Sequence, residues 1–296
     1  MRTETRNSYI DGLTTVASYI LDHLDDSLDP RLLAGIACFS PFHFHRVFRG
    51  MMGESIGDCV RRLRLERAAW RLISGSSVTE VAFDAGYESH AAFTRAFRDV
   101  FGVPPAVYLE RGINVHVLPC PTGLHFDPHG GPLRMRPQTG DSLMEVEIRK
   151  HPARSGLGMS HGGPYWQIGP VFGRLAGWAA ANNVQFQDAV AVYYDDPDAT
   201  PPEQLRSAAC LMGTNGAPDE AAGVHYVEVP GGTFATTIYT GPYSGLSAAW
   251  GKLCGEWLPQ SGHKGANQPP FELYLNDPMS TPPEQLKTEL YLPLQD

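Results

Sequence analysis

Two groups of side chains in this 296-residue sequence have the types and the spacing to do chemistry. The first is a series of arginines and histidines at the start of two helical patterns, and these residue types suit phosphates and the base edges of DNA. The second centres on Glu272, which stands among apolar and aromatic residues in PFELYLND and suits a cation. We predict no catalytic residue, since His161, in a turn before GPY, has no paired nucleophile.

A serine marks the beginning of each helical pattern that carries these basic residues. Ser40 precedes Pro41, and Ser89 precedes His90; serine is a favoured N-cap, and proline fits the first helical position. Phenylalanines at helical spacing give each pattern a buried face, and a shorter helix with a tight turn precedes each one. A long helical pattern over about 55–73 connects them, so the sequence predicts two helix-turn-helix units.

The side chains on the open faces of these helices are the predicted DNA contacts. Arg46 and Arg95 are placed to contact guanine, and the histidines beside them can donate to purine N7 or O6 acceptors. The full set is Phe42, His45, Arg46 and Arg49 on the first helix, His90, Ala91, Thr94 and Arg95 on the second, and Arg61 and Arg62 on the connecting helix.

Charge is distributed unevenly along the chain, whose formal net charge is −9. Residues 31–111 carry eleven arginines, no lysine and eight acidic residues, a net charge of +3. Residues 112–296 carry ten basic and eighteen acidic residues, a net charge of −8. A solvated surface explains most charge clusters, but this asymmetry favours a nucleic acid as the partner of the first region.

Residues 7–111 resemble the AraC/XylS family of transcriptional regulators. The second half carries the specific part of the resemblance: VTEVA, GYES, FTRAF, FG and PPAVY, in that order. The resemblance implies a monomeric DNA-binding domain whose two recognition helices enter successive major-groove segments, with base contacts from Phe42, His45 and Arg46 and from the four residues of the second helix. Ala91 and Ala92 depart from the longer polar residues often found there and leave contact with a thymine methyl group.

The C-terminal half contains an internal duplication. The segment DDPDATPPEQLRS at 195–207 recurs as NDPMSTPPEQLKT at 276–288, and GPY recurs at 163–165 and 241–243. An apolar helical pattern follows each GPY, and a strand pattern precedes each PPEQL. Each half therefore predicts strand, strand, helix, strand, strand, and two such halves can pack as a pseudo-twofold pair with a ligand cleft at the seam.

Alternation along FELYLND separates two faces of one predicted strand. Phe271, Leu273 and Leu275 are expected to face the helix layer, and Glu272 and Tyr274 the seam. Ala191 and Tyr193 hold the matching positions in the first half. The predicted ligand contacts are Glu272, Tyr274, Tyr193, Tyr291, Trp250 and Trp166. Both tryptophans also fit a helix-core role, and an exposed strand glutamate is the alternative for Glu272.

Residues 144–296 resemble the gyrase-inhibitor-like (GyrI-like) effector-binding domains. YTGPYSGL, FELYLND and LKTELYLPL carry the resemblance. It implies the binding of small molecules, often amphiphilic cations, by a central glutamate, and Glu272 is the matching position.

Residues 112–143 differ in composition from the segments on either side, since ten of these 32 residues are glycine or proline. This composition predicts a linker that wraps in part on a domain. Cys120-x4-His125-x3-His129, with His116 nearby, could hold zinc, but it lacks a second cysteine pair, so we predict no metal and no cofactor. Five scattered cysteines, no signal peptide and no bilayer-length apolar run predict reduced thiols in a cytoplasmic protein without membrane contact.

The sequence thus predicts three parts: an all-α paired helix-turn-helix domain over 1–111, a linker over 112–143, and an α+β domain of duplicated β-β-α-β-β units over 144–296. Together they indicate a one-component transcriptional regulator that binds double-stranded promoter DNA and a small organic, cationic or amphiphilic effector. Contact with RNA polymerase is compatible with this role. Two alternatives stay open: a weak hydrolase with Glu272 as general base, and a module that sequesters a protein such as a gyrase.

Overall fold

The computed structural model describes residues 2–113, 116–138, 144–197 and 199–295, which form two compact units. The helical unit consists of residues 9–37 and the described part of 51–138. The sheet unit consists of the described parts of 1–8, 38–50 and 139–296. Residues 38–50, which the sequence assigns to the N-terminal domain, therefore pack with the C-terminal part of the chain.

The helices before the sheet are short except for α1 and α4. Their bounds are α1 Arg2–Asp22, α2 Pro30–Ile36, α3 Phe44–Met52, α4 Ile56–Ile73, α5 Val78–Asp84, α6 His90–Phe101 and α7 Pro105–Glu110. In the described part of the chain, no helix is both long enough and apolar enough to cross a membrane.

The second helix-turn-helix, α5 and α6, has a side-chain cap at the start of each helix, and the sequence predicts the one at Ser89. Ser77 and Glu80 form a reciprocal capping box at the start of α5. Gly86, in the turn, has φ +83°, a left-handed conformation that glycine adopts without strain. Ser89 Oγ accepts a hydrogen bond from the Ala92 N–H at 3.2 Å and so caps α6. The apolar face of α6 packs through Phe97, which is fully buried.

The first recognition helix, α3, begins at Phe44 and not at Pro41 as predicted. Residues 41–43 form a turn in which the His43 and Phe44 N–H groups bond the Ser40 carbonyl. The N–H of His45 instead donates to the carboxylate of Asp196 at 3.2 Å. The Ser40 hydroxyl accepts a hydrogen bond from the Phe42 N–H at 3.4 Å within the turn, and a side chain distant in sequence caps the helix itself.

The described part of the predicted linker packs against α4 inside the helical unit. Leu118 and Leu124 are buried. Glu66 of α4, fully buried, accepts hydrogen bonds from the backbone N–H groups of Leu118 and Phe126, both at 2.9 Å. The Arg62 guanidinium donates to the Leu124 carbonyl at 2.8 Å. Residues 116–138, which we call the strap, are therefore attached to the helical unit.

The described part of residues 139–296 contains eight strands and three α-helices, together with short 3₁₀ turns. The strands are β1 Glu147–His151, β2 Arg154–Gly162, β3 Asp188–Tyr193, β4 Arg206–Met212, β5 His225–Val229, β6 Gly232–Thr240, β7 Phe271–Tyr274 and β8 Lys287–Leu294. The helices are α8 Gly169–Ala181, and α9 Leu246–Gly251, which continues through a π-helical turn at Lys252–Trp257 into α10 Leu258–Ser261.

The strands form one antiparallel sheet in the order β1-β6-β8-β7-β3-β4-β2-β5. The order confirms the duplication, because β6-β8-β7 mirrors β2-β4-β3. Strands β3 and β7 join the halves, with Ala191 directly opposite Glu272. The first strand of each half pairs with a strand of the other half: β1 pairs with β6, and β5 pairs with β2. The sequence does not indicate this exchange, because periodicity predicts where a strand lies along the chain but not which strand it pairs with.

The two faces of β7 are the reverse of the prediction. Glu272 accepts a hydrogen bond from Trp250 of α9, and Tyr274 packs on the cluster that contains α8. Both therefore point to the helix side. Phe271 packs on the opposite face with Phe234 and Tyr291. Alternation separates the two faces correctly but does not say which one the helices cover, because both are buried.

Candidate functional site

The second recognition helix presents an open face at its N-terminal end. His90, Ala91 and Arg95 are exposed, and Thr94 is half-buried. The Thr94 hydroxyl lies 3.5 Å from His90 Nδ1. These are the four residues predicted to contact bases on this helix, and their exposure fits entry of the helix start into a major groove.

The first recognition helix is buried over the corresponding turns. Residues 43–48 are all buried, and His45 and Arg46 are 5% and 9% exposed. Phe42 lies half-buried in the preceding turn, while Arg49 is exposed. The prediction that His45 and Arg46 point outward is therefore wrong for this structure, and DNA contact by this helix stays a prediction.

The arginines of α4 divide between surface and core. Arg61 is exposed and pairs with Asp58 at 2.7 Å. Arg62 is 8% exposed and is held by the Glu54 carboxylate at 2.6 Å and by Glu66 at 3.3 Å. Two carboxylates and a backbone carbonyl engage this guanidinium, so Arg62 has a structural role in place of the predicted DNA contact.

Glu272 lies at the centre of a hydrogen-bonded site on the helix side of the sheet. Tyr193 Oη and Tyr274 Oη donate to its Oε2 at 2.6 and 3.1 Å, and Trp250 Nε1 donates to its Oε1 at 2.7 Å. The glutamate is 3% exposed, and Trp250 is 2% exposed. The predicted grouping of Glu272, Tyr193, Tyr274 and Trp250 is thus present, with α9 supplying the indole.

Aromatic residues from both halves surround this carboxylate. The Tyr165 ring lies 4.6 Å from that of Tyr193, and the Tyr243 ring lies 5.5 Å from that of Tyr274, centre to centre. Phe172 of α8 contacts Tyr274 edge-on at 5.3 Å. Tyr165 and Tyr243 are the tyrosines of the two GPY repeats. Both were missed as site residues, although the repeat itself was the signal that marks them.

Burial raises the pKa of the Glu272 carboxyl above its ordinary value, and the three hydrogen bonds and the Arg46 charge oppose that rise. Burial also raises the pKa values of Tyr193 and Tyr274 well above 10, so both hydroxyls stay protonated donors. The site therefore holds one carboxylate among neutral donors and aromatic faces. Such a site gains free energy from a ligand that brings a delocalised positive charge.

Two predicted ligand residues lie elsewhere. Tyr291 is on the opposite face of the sheet, where it stacks on Phe271 at 4.3 Å and donates to Glu289 at 2.9 Å. It pairs directly with Phe271 across β7 and β8, and paired residues share a face. Trp166 is 78% exposed in a 3₁₀ turn whose inward position belongs to Tyr165. The structure therefore does not bring either residue to Glu272, and contact of either one with a ligand stays a prediction.

A second buried carboxylate, Glu289 of β8, lines a cavity of about 420 Å³ with residues of β1 and β6. Arg149 Nη1 donates to its Oε1 at 2.7 Å. Glu145 and Glu147 also line this cavity, and Glu147 shares the Arg149 guanidinium with Glu289.

Cys120 and His125 of the strap have partners other than a metal. His125 Nδ1 lies 2.9 Å from Glu66 Oε1, and Cys120 Sγ lies 3.4 Å from Thr122 Oγ1. Across the described residues, no group of three or more histidine, cysteine or acidic side chains is arranged to hold a metal ion.

Comparison with known proteins accounts for both parts of the chain. Residues 144–295 match the GyrI-like small molecule binding domain, and residues 33–111 match a helix-turn-helix domain. The DNA gyrase inhibitor of Escherichia coli (strain K12) is 31% identical over 137 residues, 45% of this chain and 87% of that protein. The HTH-type transcriptional regulator YbfP of Bacillus subtilis (strain 168) is 31% identical over 101 residues, 34% of each chain. The crystal structure of the EcmrR C-terminal domain matches with a TM-score of 0.44 and 18% identity, over 52% of this chain and 99% of that one.

The GyrI-like match covers just over half of the chain. Both resemblances drawn from the sequence are thereby confirmed. The chain belongs to the GyrI-like family, as a member that joins an AraC-type helix-turn-helix domain to a GyrI-like small-molecule-binding domain.

Proposed function

We propose that this protein is a one-component transcriptional regulator that binds promoter DNA and is controlled by a cationic, amphiphilic effector. The observation that best supports the proposal is that one chain contains two different sites. One is the exposed face of the recognition helix α6, and the other is the buried carboxylate of Glu272, which aromatic side chains surround. The helix-turn-helix match to YbfP supports the first part, and the GyrI-like match supports the second.

DNA recognition by α6 depends on the first two turns of the helix. Arg95 is the long, planar donor on the exposed face and suits the O6 and N7 atoms of guanine. Its neighbours His90 and Thr94 are placed to contact the adjacent base or phosphate, and the Ser89 end of the helix suits a phosphate.

Replacement of Arg95 by alanine is expected to weaken specific promoter binding by about 1–3 kcal/mol and to relax the preference at one base pair. Genomic fragments selected by the wild-type protein supply the promoter, and fluorescence anisotropy on single-base variants measures both quantities. Arg174→Ala, an exposed arginine of α8, is the matched control and should bind as wild type does. If Arg95→Ala binds the promoter with full affinity and unchanged base preference, the assignment of α6 as the base-contacting helix is excluded.

The chemistry of the Glu272 site supports a large organic cation as the effector. A metal ion would need several oxygen ligands, whereas this site offers one carboxylate and several ring faces. A large organic cation gains from both features: its charge meets the carboxylate and its apolar surface meets the rings. Tetraphenylphosphonium is a suitable probe, and neutral triphenylphosphine oxide is its uncharged counterpart.

Binding of tetraphenylphosphonium is expected to weaken as the pH falls. Only ionised Glu272 attracts the cation, and its pKa lies above the usual 4.5, so affinity is lost as the pH drops through that raised value. The stability of the unliganded protein should depend on pH in the opposite direction. Because the pKa of Glu272 is raised in the folded protein, this residue contributes stability at pH values below its unfolded-state pKa. That contribution is lost as the pH rises through the folded-state pKa.

The other groups that face Glu272 do not change charge in this range. Tyr193 and Tyr274 stay neutral because their pKa values are raised, and the Arg46 guanidinium stays charged. Tyr243, whose pKa burial also raises, stays neutral as well. Calorimetric titration over a series of falling pH values measures the trend, and an affinity that stays flat down to the pH at which the protein unfolds would show that the ligand does not use the carboxylate charge.

Two other functions centre on the same domain. A hydrolase would use Glu272 as general base, but hydroxyl and indole donors engage both of its oxygens, which leaves it poorly placed to take a proton from water. A gyrase-binding role is supported by the relatives named DNA gyrase inhibitor. Product formation from an electrophilic ester would support the first, and inhibition of gyrase supercoiling by the full chain the second; contact with RNA polymerase remains a prediction.

A further inference from the structure

The first recognition helix belongs to the sheet unit through residues 38–50. Three contacts join it to different parts of that unit. The His45 N–H donates to Asp196, which is 3% exposed, so an acidic side chain lies at the positive end of the helix. His43 packs against Gly265, where an added Cβ would lie 2.1 Å from the imidazole Nε2. The third contact is a crossing of two helical backbones.

That crossing occurs between Gly50 of α3 and Gly255 of the π-helical turn. A Cβ atom on Gly50 would lie 2.3 Å from Gly255 Cα, and one on Gly255 would lie 2.7 Å from Gly50 Cα and 2.9 Å from the Arg46 carbonyl oxygen. These separations are too short for any side chain. The backbones touch because both residues are glycine, and π-helical turns of this kind frequently lie at functional sites.

The glycine crossing brings Arg46 to the Glu272 site. Its guanidinium carbon lies 5.1 Å from the centre of the Trp250 ring, within the range of a cation–aromatic contact. The same indole donates to Glu272. The Arg46 charge also lowers the pKa of Glu272 and opposes the burial that raises the pKa of Cys254 to about 12. Arg46 thus supplies a planar, delocalised cation at an aromatic face beside a buried carboxylate.

We propose that Arg46 competes with the effector for the Glu272 site. The Arg46 guanidinium holds α3 at this site, and an effector cation that binds there displaces the guanidinium and releases α3 to bind DNA. This inference rests on the proposed effector function of the same site. A cation that occupies the Trp250 face excludes Arg46, so binding of effector and docking of α3 oppose each other. Because α3 carries predicted DNA contacts, the effector and the promoter then favour the same released state and strengthen each other's binding.

The first test concerns the ligand. Arg46→Met keeps the length of the side chain and removes its charge. We expect it to bind tetraphenylphosphonium at least about 5-fold more tightly than the wild-type protein, within the usual range of coupling between sites. Arg98→Met, at an exposed arginine of α6, is the matched control and should leave the affinity unchanged. Equal or weaker binding by Arg46→Met, with wild-type binding intact, would overturn the competition while the effector proposal stands.

The second test concerns DNA and leaves every predicted DNA contact in place. Gly255→Ala adds one methyl group at the crossing and should raise promoter affinity without effector by about 5-fold or more. Gly251→Ala is the control on the same helical run, since its Cβ would meet no atom within 4 Å. Promoter affinity that is the same in both variants as in wild type would show that docking of α3 does not restrain DNA binding.

A third measurement needs no variant and keeps the test decisive if Gly255→Ala folds poorly. Hydrogen–deuterium exchange of peptides from residues 44–50 should rise when tetraphenylphosphonium binds the wild-type protein, while exchange in α6 stays constant. Unchanged exchange at saturating cation would overturn the proposal. Failure of the cation to bind wild type or Arg46→Met at all would instead reject the effector class, and with it this mechanism.

Discussion

Glu272→Gln is expected to lower the affinity for tetraphenylphosphonium by about 30-fold or more. Removing one partner of a buried, hydrogen-bonded charge pair costs about 2–5 kcal/mol in binding, and about 1.4 kcal/mol is a factor of ten. The carboxylate is 3% exposed, so little water screens its charge. Glutamine also places an amide N–H₂ group where one carboxylate oxygen accepts hydrogen bonds from the surrounding donors.

Two controls separate charge from shape in this experiment. Glu284→Gln changes an exposed glutamate of the second PPEQL repeat and should leave affinity unchanged. Neutral triphenylphosphine oxide should bind wild type and Glu272→Gln with similar affinity, because it gains only from the rings. Isothermal titration gives all five affinities. Equal binding of the cation to wild type and Glu272→Gln would exclude Glu272 as the charge partner.

Arg62→Met is expected to destabilise the helical unit by about 3–5 kcal/mol, the usual cost of removing one partner from a buried ion pair. Glu66 is fully buried, and Glu54 is bound through both oxygens at 2.6 and 3.1 Å. Methionine fills much of the volume but leaves both carboxylates without the guanidinium. The Leu124 carbonyl also loses its donor, which weakens the attachment of the strap to α4.

Urea unfolding followed by the circular dichroism of the helices measures this loss. Arg61→Met is the matched control, because Arg61 is exposed and pairs with Asp58 only at the surface. Exposed pairs contribute at most about 1 kcal/mol, so the control should stay within that margin. Equal effects of the two variants would show that the buried network does not stabilise the unit. Loss of promoter binding by Arg62→Met without loss of stability would restore its predicted DNA role.

The sequence alone determined the local features of this protein. Ser89 predicted a helix start that the structure confirms, because a cap needs only residues within one turn. The duplication predicted the equivalence of Ala191 and Glu272, and these two residues lie opposite each other on adjacent strands. The grouping of Tyr193, Trp250 and Tyr274 with Glu272 followed from the same repeat.

The tertiary structure alone decided which side of each element meets which neighbour. Periodicity places Glu272 and Phe271 on opposite faces, but both faces are buried, so composition could not show which one the helices cover. Arg62 and Arg46 have the residue type and spacing of DNA contacts, yet partners distant in the sequence bury them: Glu66 and Leu124 for Arg62, Trp250 for Arg46. A charged side chain is buried only where the fold supplies its counter-charge or aromatic face, and that partner is set by long-range packing, which local sequence does not encode.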